Sequence, residues 1–443
     1  MKKFLTAIVQ LLQPHVPLSA EEIERTLELP PDPQMGDYGF PCFSLARHWK
    51  KAPAQIAAEL AQRLQPTPLI PTIRPLGPYL NFFLHRPTVI QEVLEEISAQ
   101  GAAYGQSKEG EGKTVIVEFS SPNIAKPFGV GHLRSTVIGH ALHHIYQALG
   151  YQTIRINHLG DWGTQFGKLI VAYKTWGKEE VLQANPIRVL YDLYVRFHEE
   201  AEQNPALEDE ARTWFKRLED GDPEARRIWQ WFNELSLKEF QRIYDRLGIS
   251  FDYYTGESFY NTMLEDLVRR IQEAGLARYS EGALIVDLTP YNMPPLLLKK
   301  RDEATLYATR DLAAAEYRYR TFHFDKMLYV VGADQKLHFQ QFFKVLELMG
   351  YDWVKRCVHV DFGLVKFNDE KMGTRRGNII FLEEVLDKAV ALAQSIIEEK
   401  NPHLEKKREV AEQVGIGAVI FADLSSRRTK DVQFQWERVL NFD

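Results

Sequence analysis

The stretch Thr114-Val115-Ile116-Val117-Glu118-Phe119, with the loop Ser120-Ser121-Pro122-Asn123-Ile124-Ala125-Lys126-Pro127-Phe128-Gly129 behind it, decides the fold. Its first six residues form a nearly unbroken apolar run, the pattern of a strand buried on both faces. From 131 to 149 the apolar residues Leu133, Val137, Ile138, Ala141, Leu142, Ile145 and Leu149 recur at helical spacing, and Gly150 ends the helix. Residues 151–158 read as a second strand. Strand, helix, strand predicts an α/β fold with a parallel sheet and a ligand site at the carboxyl ends of its strands.

The same rhythm returns at 326–331, 335–349 and 357–365. The polar, tryptophan-containing residues between, about 175–300, have a helical pattern with strands near 276–288. They read as an insertion between two halves of the sheet. Residues 381–424 are helical again. Upstream, residues 1–106 read as a separate α+β module. It has helical patterns at 3–14, 19–27, 53–64 and 87–99, a strand pair near 72–76 and 79–84, and the glycine-containing stretch Gly36-Asp37-Tyr38-Gly39-Phe40. The Gly/Ser/Glu-rich residues 106–113 are the expected linker.

Composition narrows the class. Hydrophobic residues make up 45% and charged residues 26%, ordinary for a soluble globular chain. A net charge of -6 argues against a blanket nucleic-acid coat but leaves room for a local basic face. Cys42 and Cys357 are the only cysteines and form no CxxC pair. A disulfide framework and a cysteine zinc site are therefore not expected, and a reducing cytoplasm fits. No apolar run approaches a membrane span. The start of the chain, interrupted by Gln10 and Gln13 and lacking a small-residue cleavage site, reads as an amphipathic helix rather than a signal peptide.

Two segments carry chemistry. The loop after 114–119 leads into a helix beginning Gly129-Val130-Gly131-His132-Leu133-Arg134-Ser135. A helix N-terminus presents free N–H groups and positive potential to phosphates, Gly131 lets a ligand approach the backbone, and His132 adds a donor. A tight turn with a capping histidine is the other reading of so short a pattern. The second segment, Lys371-Met372-Gly373-Thr374-Arg375-Arg376-Gly377-Asn378, is a basic, glycine-containing loop. It reads either as a solvated turn or as a cationic clamp on a leaving pyrophosphate.

The full string from Ser121 to Ser135 resembles the HIGH region of arginyl-tRNA synthetases, and the second loop is similar to the KMSKS loop of class I synthetases. The resemblance implies a Rossmann-type catalytic domain over 107–385 with a helical connective insertion, followed by a helical junction over 386–443. It implies ATP, with Mg²⁺ held by phosphate and water, as the cofactor. It also implies L-arginine and tRNA(Arg) as partners, arginine–tRNA ligase activity and a cytoplasmic, monomeric protein. Lys126, His132, Lys371 and Arg375 take catalytic positions, and Gly129, Gly131, His132, Lys371 and Met372 take ATP positions. Gly129 stands where the motif has its first histidine, and Thr374 where it has its second lysine; Lys126 is the compensating cation.

By the same resemblance Glu118, Tyr307 and Asp311 face the guanidinium, and Asn123 and Gln335 hold the α-amino and carboxyl ends. On the residues alone, Tyr307 and Asp311 share a helix face at i, i+4, although such a pair is also an ordinary surface pair. His158 and Asp161, in Asn157-His158-Leu159-Gly160-Asp161-Trp162-Gly163, read equally as acting groups or as a satisfied structural pair. Residues 1–106 resemble the family's domain for the outer corner of tRNA, with Asn81 expected to read a D-loop base. The family's anticodon-binding bundle is not expected among these 443 residues. Two alternatives follow: a relative that binds arginine or adenylate without charging tRNA, or a nucleotidylyltransferase with the same strand–helix site.

Overall fold

The computed structural model describes residues 2–301, 307–367, 370–371 and 380–433. The chain divides into two compact units, Met1–Gln106 and Ser107–Asp443. In the first, the helix Lys2–Leu12 buries Phe4, Ile8, Val9 and Leu12 along one stripe, as its amphipathic pattern requires. The helix Ala20–Thr26 starts at a capping box in which Ser19 and Glu22 satisfy each other's backbone N–H groups. Three strands, β1 (Tyr38–Pro41), β2 (Thr72–Leu76) and β3 (Tyr79–Phe83), form an antiparallel sheet in the order β1-β3-β2. Phe40, Leu80 and Phe82 drive its inner face into the core with Ile56 and Leu60 of the helix Pro53–Arg63. The sequence reading marked residues 36–40 only as a glycine-containing stretch and did not find the β1 strand there. A long-range contact holds it instead: the Asp37 N–H donates to the Phe82 carbonyl, and the Asp37 carboxylate accepts from the Leu84 N–H.

The second unit is built on five parallel strands: β4 (Thr114–Glu118), β5 (Gln152–Asn157), β6 (Tyr253–Tyr254), β10 (Lys326–Tyr329) and β11 (Cys357–His359). An antiparallel trio lies beside them in sequence, β7 (Ala277–Ser280), β8 (Ala283–Val286) and β9 (Leu296–Lys299). Parallel strands require covered faces, and β4 has them. Val115, Val117 and Phe119 enter one core while Ile116 enters the other, the period-two alternation of a strand between two layers. The α/β fold with a parallel sheet is as the sequence predicts.

The sheet order is β11-β10-β4-β5-β6. From β4 the chain winds outward through the helix Val130–Ala148 to β5 and β6. It then returns through the helix Tyr307–Phe322 to β10 on the other side of β4. The order therefore reverses between β4 and β10, and in open parallel sheets the crevice at such a point receives ligands. Strand β6 comes from inside the stretch read as an insertion. Its tyrosines are exposed and its two residues give no periodic signal, so only its pairing with Ile156 and Asn157 reveals it. The helices Gln165–Trp176, Pro186–Gln203, Ala206–Glu219 and Pro223–Leu247 pack over one face.

Candidate active site

The loop after β4 is held in an unusual backbone conformation. Ser120, Ser121 and Ala125 all have positive φ, at 70°, 48° and 60°. Left-handed conformations at residues with a Cβ cost on the order of 1–3 kcal/mol each and persist where surroundings over-determine them. Here the surroundings do. The Ser120 N–H donates to Ser135 Oγ at 3.0 Å, and Ser135 Oγ donates to the Val330 carbonyl at 2.7 Å, linking the ends of β4 and β10. Ala125 N–H donates to Ser236 Oγ at 3.0 Å. The loop is also laced to the one after β5: Ile124 N–H donates to the Gly160 carbonyl, and Gly160 N–H to the Pro122 carbonyl. A Cβ at Gly160 would lie 2.2 Å from Asn123 Oδ1, so only glycine allows this approach.

The loop delivers the chain to the N-terminus of Val130–Ala148, with Gly129 as the extended cap residue and Gly131 exposed. The Gly129 N–H points at His132 Nδ1, 3.2 Å away. That assigns the imidazole proton to Nε2, which becomes a donor. Burial, aided by the charge of Lys126, pushes the His132 pKa down to about 4, so the ring is neutral at physiological pH. The Lys126 ammonium lies 5.7 Å from the centre of the Tyr194 ring.

On the β10 side of the crevice an acidic cluster gathers. Glu118, at the end of β4, is buried and ion-paired with the fully buried Arg318. Asp311 lies one turn along the helix from Tyr307. Its Oδ2 accepts from His338 Nε2 at 2.7 Å, and its Oδ1 lies 3.7 Å from His158 Nε2. The Tyr307 ring is 4.9 Å from the His338 ring, so the two residues spaced i, i+4 converge on one imidazole. Burial alone would raise the Asp311 pKa. The His338 hydrogen bond, with the fields of His338, His158 and Arg318, outweighs it, and the carboxyl is held below its ordinary value. Glu257 behaves in the opposite way. Burial pushes it up to about 7 against the fields of His158 and Arg310, and Asp311 and Asp161 add to the rise.

Asn123 is half-buried in the strained loop, and Gln335 is exposed just beyond β10, three residues before His338 on the same turn. Asp161 is satisfied structurally. It accepts from Ser258 N at 2.8 Å and Ser258 Oγ at 2.5 Å, while its carbonyl accepts from Trp229 Nε1. Of the second signature loop, only the backbone of Lys371, in the strand β13 (Glu370–Lys371), lies among the described residues. Met372, Thr374 and Arg375 lie outside them.

The structure thus links Glu118 to Asp311 through Arg318, which pairs with the first and whose field reaches the second, and sets Tyr307 beside His338, while Lys126 and His132 lie in the loop and helix turn that follow β4. The sequence reading did not find Glu257, His338 or Arg318. His338 had a signal, the i, i+3 spacing from Gln335. Arg318 had one too, the i, i+7 spacing from Asp311 on one helix face; Glu257 had none.

In the first unit, Asn81 lines a cleft of about 520 Å³ with Leu29, Pro30, Met35, Leu76 and Tyr79. Its Nδ2 donates to the Met35 carbonyl at 2.6 Å, while its buried Oδ1 has no hydrogen-bond partner among the described residues. Phe82 is core, and Tyr79 packs edge-on to Phe43 at 5.8 Å.

Comparison with known proteins bears on the family and the fold. Residues 93–436 match the family described as tRNA synthetases class I (R), catalytic domain, and residues 2–84 match the arginyl tRNA synthetase N terminal domain. The chain is 53% identical over 444 residues to the arginine–tRNA ligase of Halothermothrix orenii, covering 100% of this chain and 78% of that protein. It is equally similar, over 436 residues, to that of Clostridium perfringens, covering 98% of this chain and 77% of the relative. Among solved structures, arginyl-tRNA synthetase of Thermus thermophilus shares the fold with a TM-score of 0.74 at 24% identity, covering 100% of this chain and 78% of that one. The enzyme of Plasmodium falciparum gives 0.73 at 22%, covering 99% and 77%. With its catalytic and N-terminal family models both matched and relatives sharing half of its residues, the chain belongs to the arginyl-tRNA synthetase family of class I synthetases.

Proposed function

We propose that the crevice between β4 and β10 activates L-arginine with ATP and passes the arginyl group to the 3′ end of tRNA(Arg). The observation that carries this reading is a buried acidic residue, Glu118, at the end of β4, followed along the chain by a helix N-terminus that bears a neutral histidine donor. A guanidinium never deprotonates and needs fixed carboxylates; a triphosphate needs N–H groups, cations and hydrogen-bond donors. Asp311 and Glu118, joined by Glu257 and with Tyr307 at the mouth, receive the guanidinium. Asn123 and Gln335 hold the α-amino and carboxyl ends, which places the carboxylate toward the α-phosphorus. Gly129, Gly131 and His132 face the phosphates, with Lys126, Lys371, Met372 and Arg375 closing over them.

No protein nucleophile is required: the arginine carboxylate displaces pyrophosphate, and positioning and charge stabilisation supply the rate. No trio of His, Cys, Asp or Glu among the described residues is arranged to hold a metal ion. Mg²⁺ would enter with ATP, coordinated mainly by phosphate oxygens and water. Residues 1–106 dock the outer corner of the tRNA, and the Asn81 cleft receives a D-loop base, for which the unpartnered Oδ1 is an acceptor. Residues 107–385 form the catalytic domain, and 386–443 lead toward the anticodon-binding region. The chain acts as a cytoplasmic monomer. Among the described residues no helix is long and apolar enough to cross a membrane.

ATP–pyrophosphate exchange with arginine, with and without tRNA(Arg), tests the reading. Exchange with arginine under either condition supports it. Arginine binding without exchange supports a binding protein, and exchange with another substrate a different nucleotidyl transfer. Within that assay Asp311→Ala, which leaves a buried guanidinium unpaired, is expected to cost about 3–5 kcal/mol of arginine recognition. Normal adenylation by Lys126→Ala would refute the role of that lysine.

A further inference from the structure

Arg134 stands two residues after His132 on the same helix but faces away from the crevice. Its guanidinium is 1% exposed and holds four groups from segments far apart in sequence. Nη1 donates to the carbonyls of Gly363 at 2.6 Å and Lys430 at 3.0 Å, Nη2 to that of Arg428 at 3.3 Å, and Nε lies 3.1 Å from Asp423 Oδ1. Gly363 precedes the strand β12 (Val365–Phe367), which pairs antiparallel with β13, the strand that carries Lys371. Residues 428–431 precede β14 (Val432–Gln433), which pairs with β12 on its other edge.

A second fastening lies on the surface. Asp431 accepts from Leu364 N at 2.8 Å through Oδ1 and pairs with Lys366 Nζ at 2.8 Å through Oδ2. The two backbones run so close that a Cβ on Gly363 would sit 2.2 Å from the Lys430 carbonyl group.

We propose that Arg134 and Asp431 are positioning residues for ATP use. They lock the strap 423–433 onto the paired strands β12 and β13 and so fix the backbone of Lys371 relative to the helix turn that carries His132. His132 and the Lys371 backbone belong to different elements, and neither element alone sets the distance between them. A buried planar cation with several fixed donors suits that task, because each bond it makes constrains direction as well as distance. None of these contacts is made by Glu118, Asn123, Tyr307 or Asp311. The tie to the arginine subsite is indirect, through the Ala333 N–H donating to the Phe362 carbonyl beside Gly363, so the strap should bear on ATP more than on arginine. This inference rests on the reading of the crevice as an ATP site.

The test is pyrophosphate exchange on the full chain, with tRNA(Arg) present and each substrate varied in turn. Asp431→Ala removes an exposed side chain and should leave the melting temperature nearly unchanged. It should raise KM for ATP, or lower kcat, by about tenfold, the scale of one charge-assisted hydrogen bond, while KM for arginine stays constant. Arg134→Lys keeps a charge beside Asp423 but loses the fork of donors, and should show the same split more strongly. An unaltered ATP dependence in both folded variants overturns the inference, as does an equal loss for ATP and arginine, which would mark a merely structural role. Lack of exchange in the unaltered chain is a separate result: it overturns the reading of the crevice, and the inference with it.

Discussion

Glu257 and Asp311 are carboxylates facing the same cluster, yet their environments push them apart. Asp311 is held ionised by His338, and Glu257 is raised by burial to about 7. A guanidinium entering between them favours the ionised form of each. Asp311 has no proton to give at neutral pH, whereas Glu257 is about half protonated there. Arginine binding should therefore release part of a proton near pH 7. Affinity should rise with pH through that value, level off above it, and fall by up to about tenfold per unit below it. Calorimetry of arginine binding in buffers of different ionisation enthalpy measures the proton count. Glu257→Gln should abolish it, and an undiminished release in that variant would remove Glu257 from the guanidinium subsite. Tyr307 and Asp311 were legible because four residues on a helix make one face. Glu257 was not, because it reaches the cluster only through the pairing of β6 at the sheet edge, more than a hundred residues from Glu118.

At the scale of elements, β4 was legible from its composition because a strand covered on both faces has no polar side to alternate with. Strands β1 and β6 were hidden for the converse reason: one is four residues long and broken by Gly39 and Pro41, the other exposed and two residues long, and tertiary pairing alone makes them strands. The strained loop between β4 and its helix was legible as a motif but not as a conformation. Three left-handed residues with side chains cannot be read from Ser-Ser-Pro-Asn-Ile-Ala, since what forces them lies in Ser135, Ser236 and Gly160. That dependence can be tested at Gly160, whose missing Cβ makes room for Asn123. Gly160→Ala is expected to cost about 1–3 kcal/mol by overpacking, read from urea unfolding. It should also raise KM for arginine by displacing Asn123 from the α-amino end. The predicted stability loss with an unchanged KM would show that Asn123 does not hold the substrate.

Acid response is a property of the whole second unit, because groups in several elements shift in opposing directions. Burial lowers His132, His140 and His143 from 6.5 to about 4. His140 is also faced by His144, His143 and Arg155, and His143 by Arg155 and His144, with Asp252 partly offsetting. His359, lowered mainly by burial, adds in the same sense. A histidine whose folded pKa is depressed leaves stability intact above its unfolded value and loses it as pH falls toward the folded one. The window is thus about 6.5 down to 4.

Glu257 opposes this: raised from 4.5 to about 7, it binds an extra proton in the folded state across much of the same range. Asp161 and Asp423, raised by burial, also oppose, but nearer the ordinary carboxylate range. Three histidines against one glutamate leave the unfolded chain with an excess of up to about two protons, so stability must fall as the solution is acidified from 6.5 to 5. Seven of the eight tryptophans lie beyond residue 106, so fluorescence-detected urea unfolding at pH 7.5 and 5.5 reports chiefly on this unit. The midpoint should drop at the lower pH, and His140→Gln with His143→Gln should flatten the difference. A midpoint that holds or rises on acidification would mean that Glu257, not the histidine group, governs the balance.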